Sequence, residues 1–280
     1  MMLKSPLRYP GGKAKVLDAI FDRFPERFLE FREPFVGGGS VFLAVRQKFP
    51  DTQVWINDLN LDLIAFWRTV QTDCVALTTE VRRIKETEHD GRALFERFRL
   101  SLSDDLTQFE RAVRFFVLNR ITFSGTVDSG GYSGQSFQGR FTHSSIDRVQ
   151  EIAGLIQGVR ITNLDYREVL NAVGQNVFVF LDPPYFSATK SKLYGKKGDL
   201  HVGFDHGEFA LEMQRSLHRW LITYDDCTEI RNAFAFAQIE DFSVQYGMNN
   251  YKQTNAARGA ELFISDQTLA PVQDELFAFV

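Results

Sequence analysis

The chain has 280 residues, 44% hydrophobic and 24% charged, an ordinary composition for a soluble globular protein with one large domain or two unequal ones. No stretch approaches the roughly 20 apolar residues of a membrane span, and the N-terminal MMLKSPLRYPGGK lacks the apolar run of a signal peptide, so a cytoplasmic protein with no membrane partner is expected. Cys74 and Cys227 form no paired motif and the five histidines show no ligand spacing, so neither disulfide nor metal is expected; a net charge of −4 leaves no broad basic footprint.

In chain order, REPFVGGGSVFLAVRQKF predicts an extended segment, a glycine turn at residues 37–39 and a helix from about Ser40. TQVWINDL predicts a strand with Val54 and Ile56 on one face and Asp58 at its carboxyl end. From about residue 60 to 158 the periodicity is helical: Leu77, Val81 and Ile84 share a face, as do Phe109, Val113 and Phe116. SSIDRVQEIAGLI opens with Ser144 and Asp147 in capping-box spacing. Between these helices, residues 119–141 are rich in Gly and Ser yet interleaved with Phe123, Tyr132, Phe137 and Phe141, the texture of a turn-rich hairpin or a binding surface. GVRITNLDYREVL then predicts a short strand and a helix. NVFVFLDPPYF, RWLITYDD, QIEDFSVQYGM and AELFISD supply further strands. The layout expected is a catalytic α/β domain from residues 1–60 and 159–280, with a helical insertion over 61–158 that carries the hairpin.

In an open α/β sheet, ligands gather at the carboxyl ends of the strands. Three such ends stand out: residues 37–39 after EPFV, Asp58 after VWIN, and Asp182 after VFVFL. Asp58 follows Gly37 by 21 residues, the arrangement in which a backbone turn approaches a nucleoside and a carboxylate takes its ribose hydroxyls; a plain strand-to-helix turn explains the glycines equally well. Gly11, Gly12 and Lys13 do not complete a P-loop, because Leu7 stands where its first glycine belongs. FVFLDPPYF is more specific. Pro183 and Pro184 stop sheet pairing, and Pro183 holds Asp182 extended. The Asp182 side chain and the Pro183 carbonyl are then two fixed acceptors beside the Tyr185 ring, a receptor for a planar group bearing an NH2.

In this order the motifs resemble the Dam-type (class D12, alpha-group) DNA adenine-N6 methyltransferases. LRYPGGKAKVL is similar to the family's N-terminal cofactor motif, EPFVGGGSVF to its glycine motif, INDLNLDLI to its acidic strand end, DPPY to its catalytic motif and ELFISD to its closing strand. The resemblance implies a Rossmann-like methyltransferase fold, a mixed sheet flanked by helices, with an inserted helical target-recognition domain. It implies S-adenosyl-L-methionine as cofactor and site-specific methylation of adenine N6 in double-stranded DNA after base flipping. Catalysis falls to Asp182, Pro183, Pro184 and Tyr185. The implied cofactor contacts are Tyr9, Lys13, Pro34, Phe35, Gly37, Gly39, Asp58 at the ribose, Asp165 and Tyr166 at the adenine, and Asp182 between cofactor and target base. DNA contacts are expected from Asn119, Arg120 and Arg140, and from Lys190, Lys192, Lys196 and Lys197, whose plain alternative is a solvated loop. A restriction endonuclease is a candidate partner.

LNRITFSGTVDSGGYSG departs from the pattern of GATC-reading members, so the resemblance names no recognition site. Three other readings share parts of this evidence: a cytosine-N4 methyltransferase, since that amine has the same geometry; a DNA-binding relative without the chemistry; and an RNA or protein methylase, for which the helical insertion has no evident use.

Overall fold

Every apolar run read as a strand becomes one in the computed structural model, which describes residues 2–100, 106–127, 130–187, 203–244 and 259–266. The strands are β1 (Glu30–Glu33), β2 (Gln53–Asn57), β3 (Arg160–Thr162), β4 (Val177–Leu181), β5 (Arg219–Asp225), β6 (Gln238–Val244) and β7 (Gly259–Ser265). They form a single sheet in the order β3-β2-β1-β4-β5-β7-β6. The first five are parallel, and β7 runs antiparallel between β5 and β6. This is the mixed sheet flanked by helices that the resemblance implies. Strand order reverses between β1 and β4, which opens a crevice at their carboxyl ends.

β4 shows why its sequence is apolar throughout. Phe178 and Phe180 face one core, while Val177, Val179 and Leu181 face another, so both sides of the strand are covered. The covering helices are α1 (Leu17–Phe21), α2 (Ser40–Lys48), α3 (Leu61–Thr87), α4 (Gly91–Leu100), α5 (Gln108–Ile121), α6 (Gly134–Gly139), α7 (His143–Ile156), α8 (Tyr166–Leu170), α9 (His206–Arg215) and α10 (Thr228–Ala233). None is long and apolar enough to cross a membrane.

Asn60 caps α3 by accepting from the amides of Asp62 and Leu63. The helix kinks at Asp73, whose φ of −151° and ψ of 51° are non-helical. Its first half is tied to the sheet: Trp67 Nε1 donates to the Gly37 carbonyl at 3.3 Å, and the Arg68 guanidinium to that of Ile161. Helices α5 and α7 pack along it: Asp62, in its first turn, pairs with Arg111 at 2.9 Å and Arg114 at 2.7 Å on α5, and Thr78, beyond the kink, accepts from Gln150 of α7 at 2.9 Å. Leu77, Val113 and Ile152 belong to the same core as Phe31 and Phe178 of the sheet, so the helices share the core of the sheet.

Two local expectations are corrected. The cap of α7 is Thr142 with Ser145, reciprocally bonded, two residues earlier than Ser144 with Asp147; Asp147 instead pairs with Arg82. Residues 119–141 do not form a two-stranded hairpin among the described residues. They comprise the end of α5, a short 3-10 turn at Phe123–Gly125, one antiparallel bridge between Thr122 and Tyr132, and α6. Three of the four aromatics pack, Phe141 being buried and Tyr132 and Phe137 lying against the core, whereas Phe123 is 60% exposed.

Candidate active site

Asp182 leaves the end of β4 with its charge already compensated. Lys13 Nζ stands 2.7 Å from its carboxylate and also donates to the Gly11 carbonyl at 2.9 Å. Thr223 Oγ1, from β5, donates to Asp182 Oδ1 at 2.8 Å. Lys13 is 4% exposed and Asp182 23%, so a buried ammonium holds a carboxylate that still opens to solvent space. Tyr185 lies beside this pair, with Lys13 Nζ 5.1 Å from its ring centroid and the Tyr224 ring stacked on it at 6.1 Å. Asp225, at the end of β5, accepts from the amides of Phe186 at 2.9 Å and Ser187 at 2.8 Å, pinning the chain just past the prolines.

The glycine turn occupies the neighbouring strand end. Gly37 and Gly39 have φ of +45° and +71°, and a Cβ on Gly39 would stand 2.4 Å from the Phe42 ring. Asp58 Oδ2 accepts from the Gly37 amide at 3.0 Å and Oδ1 from that of Asn60 at 2.9 Å, so this acid closes the turn. Burial pushes its carboxyl up to about 6, against the pull of those amides. Glu33, buried at the end of β1, accepts from the Phe42 amide at 2.9 Å. Burial raises its carboxyl well above the usual range; the Phe42 amide opposes this, and the charges of Asp182 and Asp58 add to it. Across the crevice, Tyr166 begins α8 with its ring 5.4 Å from that of Phe35. Asp165 caps α8 and is held by Arg167 at 2.8 Å.

These groups line one cavity of about 1010 Å³, ample for a nucleoside cofactor and a base. Tyr9, Lys13, Pro34, Phe35, Gly37, Gly39, Asp58, Asp165, Tyr166 and the Asp182 to Tyr185 motif all reach it. The structure thus brings together every candidate cofactor and catalytic residue. The donor set suits a nucleoside sulfonium: an aromatic slot at Phe35 and Tyr166, backbone at the glycine turn, and carboxyls at Glu33, Asp58 and Asp182. Sequence reading missed Glu33, Thr223, Asp225 and Glu261. Three of these are acids inside or at the end of apolar runs, and that interruption is the signal that could have found them.

The candidate DNA residues fare differently. Asn119 is fully buried: its Nδ2 donates to the carbonyls of Arg8 and Gly125, and its Oδ1 accepts from the Arg8 amide at 3.0 Å. It staples the N-terminal segment to α5 and has no reach to a ligand, which corrects its assignment to DNA. Arg120 is 4% exposed, over the Phe116 ring, and is likewise no surface contact. Burial lowers its guanidinium to about 9, with Arg148, Arg8 and Arg140 acting the same way. Arg140 and Arg148 are exposed above it. Lys190, Lys192, Lys196 and Lys197 lie outside the described residues.

Comparison with known proteins points the same way. The family model described as D12 class N6 adenine-specific DNA methyltransferase matches residues 9–248. Over 212 residues the chain is 26% identical to the Type II methyltransferase M.MjaIII of Methanocaldococcus jannaschii, covering 69% of this chain and 73% of the relative. It is 31% identical to the DNA adenine methylase of Escherichia coli strain K12, covering 75% of this chain and 73% of that protein. Identity to the DNA N-6-adenine-methyltransferase of Escherichia phage P1 is 30%, over 82% of this chain but only 31% of that relative.

Proposed function

The chain belongs to the D12 class N6 adenine-specific DNA methyltransferases, and within that activity we propose that it moves the methyl group of S-adenosyl-L-methionine to an adenine swung out of duplex DNA into the cavity between β1 and β4. Membership in this class decides between the two amines in favour of adenine N6 over cytosine N4. The observation that carries the rest is the Asp182 carboxylate, fixed by Lys13 and Thr223 at the cavity wall beside Tyr185.

The exocyclic amine of adenine is a weak nucleophile because its lone pair is delocalised into the ring. Asp182 and the Pro183 carbonyl accept hydrogen bonds from its two N–H groups, localise the lone pair and aim it. The two bonds already made to Asp182 lock the carboxylate's orientation before the substrate arrives. Tyr185, backed by Tyr224, stacks on the base and offsets part of the few kcal/mol needed to extrude it. When bound, the cofactor supplies an electrophilic methyl on a sulfonium. The residues that would hold it are the turn at 37–39 with Pro34, Asp58 at the ribose hydroxyls, and Phe35 with Tyr166 about its adenine, with Asp165 at the rim. Tyr9 and Lys13 close the cavity beneath it.

The helices beyond the Asp73 kink form the DNA-facing part in this reading. What supports it is the group of Arg8, Arg140 and Arg148 around buried Arg120, a concentration of positive charge that a phosphate would offset. The name of the Methanocaldococcus relative, a type II methyltransferase, is what supports a partner endonuclease. Incubation of the protein with labelled S-adenosyl-L-methionine and duplex DNA, followed by mass analysis of the nucleosides, tests the reading. Label in N6-methyladenine is expected; label in N4-methylcytosine, or none in DNA, would refute it.

A further inference from the structure

Glu261 has no part in the function described so far. It lies on β7 with Asp225 as its Cα partner on β5, and the antiparallel run of β7 brings it to the end of the sheet where Asp182 stands. It is 2% exposed and lines the cavity. Neither of its carboxyl oxygens has a hydrogen-bond partner among the described residues, and the buried hydroxyl of Tyr185 is in the same state. Leaving such groups unpaired costs on the order of kcal/mol each. A position that only had to be filled would take an apolar residue, as Leu262, Phe263 and Ile264 do next to it.

The surrounding groups form a line back to the reacting centre. Thr223 Oγ1 bonds Asp182 at 2.8 Å. The buried Tyr185 hydroxyl is close enough to Thr223 and Glu261 to interact with both, and it bonds to neither in this conformation. Burial lifts the Glu261 carboxyl to about 7; Lys13, from the N-terminal segment, opposes this, while Asp182 after β4 and Asp225 on β5 add to it, and Tyr185 favours ionisation. On β6 its Cα partner is the uncharged Phe242.

We propose that Glu261 is the terminal acceptor of the proton lost by the substrate amine, delivered from Asp182 through the hydroxyls of Thr223 and Tyr185. This rests on the role given to Asp182 above. The amine nitrogen gains its bond to the methyl carbon as the donor's carbon–sulfur bond breaks, and that electron pair stays on sulfur. The nitrogen then holds one proton too many and gives it to Asp182. Once Asp182 is protonated, the Thr223 hydroxyl, which donates to it at rest, turns to accept from it, and each hydroxyl then accepts a proton on one side and donates its own on the other. Thr223 and Tyr185 therefore end neutral, Asp182 is again a carboxylate, and Glu261 is a neutral acid until the opened site returns its proton to water. Glu261 must be ionised to accept, so the rate falls as pH drops through its titration.

The test has two arms. At saturating cofactor and DNA, single-turnover methyl transfer by the wild type should rise with pH through about 7, whereas Glu261→Gln should lose that limb and run about a hundredfold slower above it. Glu261→Asp should keep a limb. In the enzyme alone, difference infrared spectroscopy should titrate a protonated carboxylic acid in the same range that is missing from Glu261→Gln. A limb or a carboxyl band unchanged in Glu261→Gln overturns the relay. Should that variant fail to fold, Tyr185→Phe, which breaks the path and spares the carboxylate, must remove the limb, and its persistence overturns the proposal equally. A wild type that leaves adenine unmethylated would sink the functional reading, whereas a wild type that methylates adenine while Glu261→Gln keeps its limb would sink the relay alone.

Discussion

Lys13 and Asp182, 169 residues apart in sequence, meet at 2.7 Å on the wall of the cavity. The pair gives the catalytic carboxylate a fixed partner in the empty protein, so its orientation does not wait for the substrate. Removing the ammonium should therefore cost both stability and rate. Lys13→Met is expected to lower unfolding free energy by about 2 kcal/mol, less than the 3–5 of a fully buried pair because Asp182 keeps contact with water. Methyl transfer should fall by about tenfold or more as the carboxylate's orientation loosens. Denaturant unfolding and single-turnover assays measure the two effects.

Asp58 should make cofactor binding pH-dependent. Its carboxyl titrates at about 6 in the folded chain, above the roughly 3.9 of an exposed aspartate. Between those values the folded state holds the proton more tightly than the unfolded one, so Asp58 alone makes the empty protein less stable as pH rises through that window. Ribose hydroxyls donate to the ionised form, so affinity for S-adenosyl-L-methionine should rise as pH passes about 6. Asp58→Ala should weaken binding by about tenfold to a hundredfold at neutral pH and flatten this dependence in calorimetry.

Gly39→Ala should damage the turn before any ligand is present. The residue sits at φ +71°, and the added Cβ would stand 2.4 Å from the Phe42 ring and 2.6 Å from that of Trp67, both buried. Left-handed backbone alone costs about 1–2 kcal/mol in a residue with a side chain, and the overlap adds to it. A clear drop in melting temperature is expected, with loss of cofactor binding.

Replacing Arg140 and Arg148 together by Ala should reduce the slope of log affinity for duplex DNA against log salt by about two, one for each phosphate no longer neutralised. The same change removes two positive neighbours that depress the Arg120 guanidinium. Asn119→Ala, by contrast, should leave the slope unchanged and lower stability by about 1–3 kcal/mol, because it strands the backbone groups of Arg8 and Gly125.

How much of this was legible follows from the range of each interaction. β4 announced itself because a strand covered on both faces must be apolar at every position, and Asp182 was conspicuous for ending it. The turn at 37–39 was readable because its conformation demands glycine locally. The resemblance places Lys13 at the cofactor, and nothing near it in sequence reveals that its ammonium also bonds Asp182. Asn119 and Arg120 looked available beside a Gly/Ser-rich segment, yet the partners that bury them come from residue 8 and the core of α5. Glu261 escaped because only the antiparallel pairing of β7 with β5 carries the start of that strand to the catalytic end of the sheet.

The central claim, that Asp182 holds and activates the adenine amine, is tested most directly by Asp182→Ala in single-turnover transfer of labelled methyl to DNA. The account predicts a loss of about a thousandfold or more, with the fold retained by circular dichroism. Transfer at near wild-type rate by a folded Asp182→Ala protein would contradict it.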